Sequence, residues 1–264
     1  MDKNSTLQQK KTTLFLVLSG IFLTNAIVAE IVGVKIFSLE KLLNTNPAQI
    51  PLFGGLILDF NLTSGVILWP MVFITSDIIN EYFGKQGVRK ISFLSATLIA
   101  YMFVILWGVT HLPPAQFWLD LNNTDNQGNP LNIDESFSRI FRQGLGVIVG
   151  SLTAFLIGQI LDVSVFHWLR RFTGSKKIWV RATGSTLVSQ LVDSFVVLGI
   201  AFYLLGNWTL ELFISVGVIN YIYKFCIAIL LTPILYIAHY LIDSYLGKEN
   251  SEKMIEEAAK SELF

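Results

Sequence analysis

The stretch Gly150-Ser-Leu-Thr-Ala-Phe155-Leu-Ile-Gly158-Gln159-Ile-Leu-Asp162-Val-Ser-Val-Phe166 decides the fold. It is apolar and long enough to lie within a bilayer, which needs about 20 residues of helix, yet it carries an amide and a carboxylate three positions apart. The pattern returns in Gly184-Ser-Thr-Leu-Val-Ser-Gln190-Leu-Val-Asp193-Ser194. On a helix, positions i and i+3 share a face, so each Gln and its Asp project together. A carboxylate near the bilayer centre costs roughly 2.5–3.5 kcal/mol on insertion scales. A chain that carries this cost twice is expected to use those groups.

The rest of the composition agrees. Across 264 residues, 53% are hydrophobic and 14% charged, with a mean hydropathy of +0.58; soluble domains carry about 25% charged residues. The zero formal net charge gives no electrostatic case for a nucleic-acid partner. The single cysteine, Cys226, excludes an intrachain disulfide and reads as a small buried hydrophobe. At the N-terminus, positive charge precedes an apolar run from Leu14 to Val34 that carries Asn25 and Glu30. That run is too long for the apolar core of a signal peptide, so it reads as an uncleaved first span.

The hydropathy pattern predicts an all-α, polytopic membrane protein: a six-helix transmembrane bundle with spans near 13–34, 64–84, 88–111, 139–169, 178–205 and 211–242. Residues 1–12 form an N-terminal segment, 13–245 the transmembrane domain and 246–264 a C-terminal tail. Fourteen of the nineteen Lys and Arg residues fall on one side, among them Lys10, Lys85, Arg89, Arg170, Lys177 and Lys248. By the positive-inside rule both termini are cytoplasmic, and the acidic 112–138 loop faces outward. In a bacterial cell this places the chain in the inner membrane. The connection 35–63 holds an apolar piece, 52–59, too short to cross and expected to form a packed hairpin or re-entrant element. Pro70 and Pro233 lie inside predicted spans and are expected to kink them.

Helical spacing groups the polar residues into stripes. Ser151, Phe155, Gly158 and Asp162 share one face, with Gln159 beside them; Thr183, Thr186, Gln190 and Asp193 share another. Asn220 and Lys224 lie one turn apart with Tyr221 and Tyr223 adjacent, as do Asp77 and Glu81 in the second span. Converging, these faces would line a pocket suited to a planar heterocycle, since carboxylates accept from neighbouring N–H groups, amides do both, and aromatics stack. A packing ion pair between an Asp and Lys224, or a proton relay, fits the same residues. No metalloprotease, P-loop or nucleophile-elbow motif occurs, and His111, His167 and His239 are scattered. An enzyme, a metal site and a cofactor are therefore not expected.

Asp77-Ile-Ile-Asn-Glu81-Tyr-Phe-Gly84 followed by Arg89 resembles a signature of the VUT family of membrane proteins. So do Gly158-Gln-Ile-Leu-Asp-Val-Ser-Val-Phe166, the serine-rich segment 184–194 and Tyr221-Ile-Tyr-Lys224. The resemblance covers roughly residues 14–245. It implies import of a queuosine precursor, 7-cyano-7-deazaguanine or 7-aminomethyl-7-deazaguanine, as a small-molecule deazapurine partner within the lipid bilayer. On that reading Asp162 and Asp193 accept from the ring N–H and exocyclic amine, Gln159 and Gln190 meet the remaining polar edge, and Phe155 or Tyr221 stacks on the ring. Lys224 pairs with one aspartate in the empty state. Asp77 or Glu81 would couple transport to protons, with facilitated diffusion as the other energetic route. A substrate-binding subunit of an energy-coupling-factor transporter is the competing reading. The oligomeric state is left open, a homo-oligomer included.

Overall fold

The computed structural model describes residues 3–33, 35–51, 57–141, 145–173, 178–204 and 208–260. Helix α1 (Lys3–Val32) leads into a small antiparallel excursion: β1 (Ile36–Ser38), a single turn α2 (Leu39–Leu42), β2 (Ile50–Pro51), β3 (Ile57–Leu58) and β4 (Asn61–Thr63). A 3-10 turn, Ser64–Ile67, precedes α3 (Trp69–Val109). Two short helices follow, α4 (Gln116–Leu121) and α5 (Ile133–Phe141). The long α6 (Leu145–Thr173) and α7 (Ile178–Leu198) come next, α7 continuing as a π-helix over Gly199–Leu204. The chain ends in α8 (Leu210–Leu230), α9 (Thr232–Leu246) and α10 (Lys248–Lys260).

Among the described residues, four helices are long and apolar enough to cross a membrane: Ser5–Val32, Trp69–Val109, Leu187–Leu204 and Leu210–Ile227. Their outward faces carry exposed Leu16, Val17, Tyr101, Val104, Trp107 and Leu230. Such a belt would drive aggregation in water and is satisfied by lipid. The protein is an all-α, multi-pass cell-membrane protein. Cys226, expected inside, is exposed on α8. A thiol is apolar enough to face acyl chains, so the membrane relaxes the rule that buries it in soluble proteins.

Where the hydropathy pattern breaks into 64–84 and 88–111, the structure breaks too: α3 is two helical segments that meet at a kink at Gly84 (φ 67°). A positive φ is cheap only without a Cβ, so the glycine marks the break. Pro70 sits in the first turn of α3, not within it, where the missing N–H would have had no helical partner anyway. Pro233 opens α9 in the same way, and the chain turns at Leu231 between α8 and α9.

The main core joins α1 (Phe22, Ala26), α3 (Ile79, Tyr82, Ile91), α9 (Ile242, Leu246) and Met254 of α10. The C-terminal helix is thus docked by its apolar side. Tyr82 Oη lies 2.8 Å from His239 Nδ1 and donates to Asp243 Oδ1 at 3.1 Å, while Ser251 Oγ donates to the same carboxylate.

At the other end, the expected hairpin forms as two nested pairings, Ile36 with Thr63 through Ser38 with Asn61, and Ile50 with Leu58. Residues 52–56, the apolar tip expected from the sequence, lie outside the described residues. Glu40 fastens the base of the hairpin. Its carboxylate accepts from Phe60 N–H at 2.5 Å and from Ser38 Oγ at 2.8 Å. Leu62 and Val66 pack on Ile219 of α8, which seats the excursion against the helices.

Two predictions follow from this packing. At Gly65 a Cβ would sit 3.1 Å from the Ala29 carbonyl oxygen and 3.4 Å from Gly33 Cα. Gly65→Ala is therefore expected to destabilise the detergent-solubilised protein by about 1–3 kcal/mol. Gly20→Ala meets nothing within 4 Å and should be neutral or gain up to about 1 kcal/mol; thermal melts of the pair check this. For Glu40, burial raises the pKa, but the bonds from Phe60, its own N–H, Ser38 and Ala48 outweigh burial and hold the carboxyl below the ordinary glutamate range. A depressed folded value means the stabilisation is complete above the unfolded pKa of about 4.3 and is lost as pH falls through the folded one. Hydrogen exchange at the Phe60 amide should accelerate over that acidic window, and Glu40→Ala should abolish the pH dependence.

Candidate functional site

Asp193 of the second polar doublet reaches a partly open cavity of about 340 Å³. From α7 come Asp193 and Ser194, and from α8 come Asn220 and Lys224; Glu30 of α1 and Ser151 of α6 also reach it. The hairpin and the start of α3 close it through Thr63, Gly65 and Trp69, and Arg139 of α5 stands at its edge. A volume at the lower end of the roughly 300–1,000 Å³ typical of ligand pockets fits a small planar molecule.

The electrostatic centre is one ion pair. Lys224 Nζ donates to Asp193 Oδ2 at 2.6 Å, and the two side chains are only 6% and 7% exposed. Desolvating both charges is costly, and only close contact in a low-dielectric interior offsets it. Glu30, 5% exposed, is the other carboxylate of the cavity among the described residues and accepts from Ser151 Oγ. Arg139 is exposed and bonded to Glu135 on its own helix at 2.5 Å.

Gln190 lies one turn from Asp193 on α7 and is fully buried. Among the described residues neither end of its amide has a hydrogen-bond partner, and the hydroxyl of Ser194 has none either. Buried polar atoms left unbonded cost about 1–3 kcal/mol each. Ser194 also lines the cavity.

The remaining expected site residues distribute as follows. Phe155, Gln159 and Asp162 lie on α6, their side chains outside the described residues. Their helix does meet the doublet on α7: a Cβ at Gly158 would lie 3.8 Å from Asp193 Cβ. Tyr221 is half-buried on α8 and does not line the cavity. Asp77 and Glu81 are buried on α3, also away from the cavity lining. Asn80 Oδ1, between them, lies 2.9 Å from His167 Nε2 of α6.

Sequence reasoning passed over Glu30 and Ser194. Glu30 carried a readable signal, an acid in the last turns of an apolar span. Ser194 follows Asp193 directly, and only the three-dimensional packing shows that it lines the cavity.

A helical membrane protein with a buried ion pair and further polar side chains lining a ligand-sized cavity has the features of a carrier of small polar molecules. The chain matches the family model described as "Putative vitamin uptake transporter" over residues 63–238 and belongs to that family. It is a transporter, not an enzyme. Curated relatives include a "Probable queuosine precursor transporter" of Bacillus subtilis, 30% identical over 181 residues that cover 68% of this chain and 72% of the relative. A protein of the same name from Haemophilus influenzae is 28% identical over 66% of each chain. The "Queuosine precursor transporter" of Escherichia coli is 27% identical over 66% of this chain and 70% of its own. No solved structure matches the chain significantly.

The pair makes a sharp prediction. Lys224→Met leaves a buried carboxylate without its cation and should cost about 3–5 kcal/mol, whereas the double variant Asp193→Asn/Lys224→Met should recover much of that loss. Melting of the four proteins of this cycle in detergent gives the coupling directly.

Proposed function

We propose that this protein imports a queuosine precursor, a 7-deazaguanine carried as 7-cyano-7-deazaguanine or its 7-aminomethyl relative, across the cell membrane. The observation that carries the reading is the buried Asp193–Lys224 pair inside a ligand-sized cavity, in a chain whose relatives are named for that class of cargo. A guanine edge sets two neighbouring N–H donors beside a carbonyl. Asp193 accepts from the donors, and Lys224 passes to the carbonyl as the pair opens. Gln190, Ser194 and Asn220 complete the polar edge. Gln159 and Asp162 are proposed as further polar contacts of the ligand, and Phe155 and Tyr221 as stacking partners of its ring.

In this reading residues 13–245 form six spans, with both termini and the tail 246–264 in the cytoplasm. The side rich in Lys and Arg then faces inward, and the cavity near the end of α1 opens outward through the hairpin. Asp77 and Glu81, buried beside the Gly84 break in α3, serve coupling or gating. The chain works without a partner ATPase.

Uptake of labelled precursor by a salvage-dependent bacterial strain tests this. Expression of the chain alone should restore uptake. Asp193→Asn should reduce it by about tenfold or more, the size of a lost charge-assisted hydrogen bond. Undiminished uptake by Asp193→Asn removes the assigned site, and uptake only with a co-expressed coupling ATPase favours the energy-coupling-factor reading.

A further inference from the structure

A second cavity of about 340 Å³ lies between α6 and the part of α3 just past the Gly84 kink. Val88 and Phe93 of α3 and Leu156 and Ile160 of α6 give it an apolar lining. Phe93 and Ile160 are 54% and 63% exposed, so this is a groove open to whatever surrounds the helices. In a multi-pass membrane protein an apolar surface of that kind is covered by lipid. Arg89 is exposed and stands in the same lining, its Cζ 5.8 Å from the Phe93 ring centroid. Asn80 Oδ1 lies 2.9 Å from His167 Nε2, which holds the end of α6 beside the kink. The groove therefore starts among Lys85, Arg89 and Ser164 and continues over Phe93 and Leu156.

We propose that this groove binds one phospholipid of net negative charge, its phosphodiester on Arg89 and the start of an acyl chain on the apolar floor. The site is separate from the cargo cavity and stands whatever the cargo is. Acyl chain fills a lipid-facing groove under any headgroup, so the polar residues decide which headgroup is held. Among the described residues Arg89 makes no ion pair. Its guanidinium offers five N–H donors in a planar fork that matches phosphate oxygens two at a time. Lys85 lines the groove too but is already engaged within the protein, so the phosphate is assigned to Arg89.

A zwitterionic headgroup brings an ammonium beside its phosphate. No carboxylate is present among the described lining residues to receive it, and Arg89 repels it. A headgroup whose other polar groups are hydroxyls leaves the phosphate charge to the guanidinium. Basic pockets between transmembrane helices hold anionic headgroups by the same chemistry. The volume is at the lower end of ligand pockets and takes a headgroup with its first methylenes, the rest of the chain lying along the exposed helix faces. A lipid so placed touches α3 past its kink and α6 together, and braces one against the other.

Thermal melts of the full chain in neutral detergent, titrated with phosphatidylglycerol, phosphatidylcholine or inorganic phosphate, test this. Phosphatidylglycerol should raise the Tm by about 5 °C or more at saturation. It should bind about tenfold or more tighter than phosphatidylcholine, the scale of one hydrogen bond to a charged group. Inorganic phosphate, with no chain to fill the groove, should leave the Tm unmoved. Arg89→Gln should bring the two lipids to within about twofold of each other. Its lipid-free melting point should stay near wild type, because the side chain is exposed. Ile160→Trp, which fills the groove, should weaken phosphatidylglycerol binding several-fold, and it decides the matter if Arg89→Gln does not fold.

Equal affinity of wild type for the two lipids, or a preference that survives Arg89→Gln, overturns the proposal. Phosphatidylglycerol binding untouched by Ile160→Trp puts the lipid elsewhere and overturns it as well. A shift that inorganic phosphate reproduces in full identifies a free-anion site and rejects the lipid.

Discussion

The contact between Lys224 Nζ and Asp193 Oδ2 is the constraint on which the rest of the structure depends. An ammonium and a carboxylate cannot remain apart in an apolar interior, so α7 and α8 are held in one register by it. Once together they still need cover on every side. α6 lies close enough for Gly158 to rest against Asp193, and α1 brings Glu30 and Gly33 to the same cavity. The open end is capped by the hairpin and the Ser64–Ile67 turn. The close approach of Gly65 to the Ala29 carbonyl and to Gly33 admits no side chain between them, so the cap is fitted to α1 at the level of backbone.

This arrangement divides the labour between the ends of the molecule. Around the cavity, polar side chains of α1, α6, α7 and α8 interrupt an apolar lining, and among the described residues Gln190 and Ser194 keep unbonded atoms. At the far end, α1, α3, α9 and α10 build the continuous apolar core, tied by the hydrogen bonds of Tyr82, Asp243 and Ser251. Opening free energies in proteins are uneven, and elements that handle ligands come from the weaker end by necessity. The stable core lets the cavity carry unsatisfied groups that a uniformly marginal protein could not hold.

Much of this was legible in the sequence, for physical reasons that also explain what was not. Apolar runs longer than a bilayer is thick give helices directly, because backbone groups in lipid must bond within their own segment. The acids within those runs stand out because each carries an insertion cost. Hence Asp193 and Lys224 could be named, and their pairing anticipated. The break at Gly84 was legible because the polar residues Lys85 and Gln86 separate two apolar runs, and the structure kinks there. Pro70 was placed within a span because the 3-10 turn before it has the composition of helix. Glu30 was noticed but set aside as terminal. That it reaches the cavity depends on the three-dimensional return of α6 to α1, where Ser151 Oγ donates to it, and no local pattern encodes that contact.

Recognition of a small molecule in a membrane raises a conflict between affinity and assembly. A site rich enough in charge to bind a polar ring must also fold without that ring. This chain resolves the conflict by internal neutralisation: Lys224 occupies Asp193, and Ser151 occupies one oxygen of Glu30. Lys224 meets Asp193 through the single oxygen Oδ2, so in the function proposed above that carboxylate keeps acceptor capacity for a guest. The amide of Gln190, bonded to nothing among the described residues, cannot be neutralised this way without losing its readiness. It is instead placed one turn behind Asp193, where burial by the packed helices makes its cost a small part of a large favourable sum. Readiness to bind is therefore spread between protected charges at the front of the cavity and an unprotected dipole behind them, an arrangement that a single polar stripe on one helix could not supply.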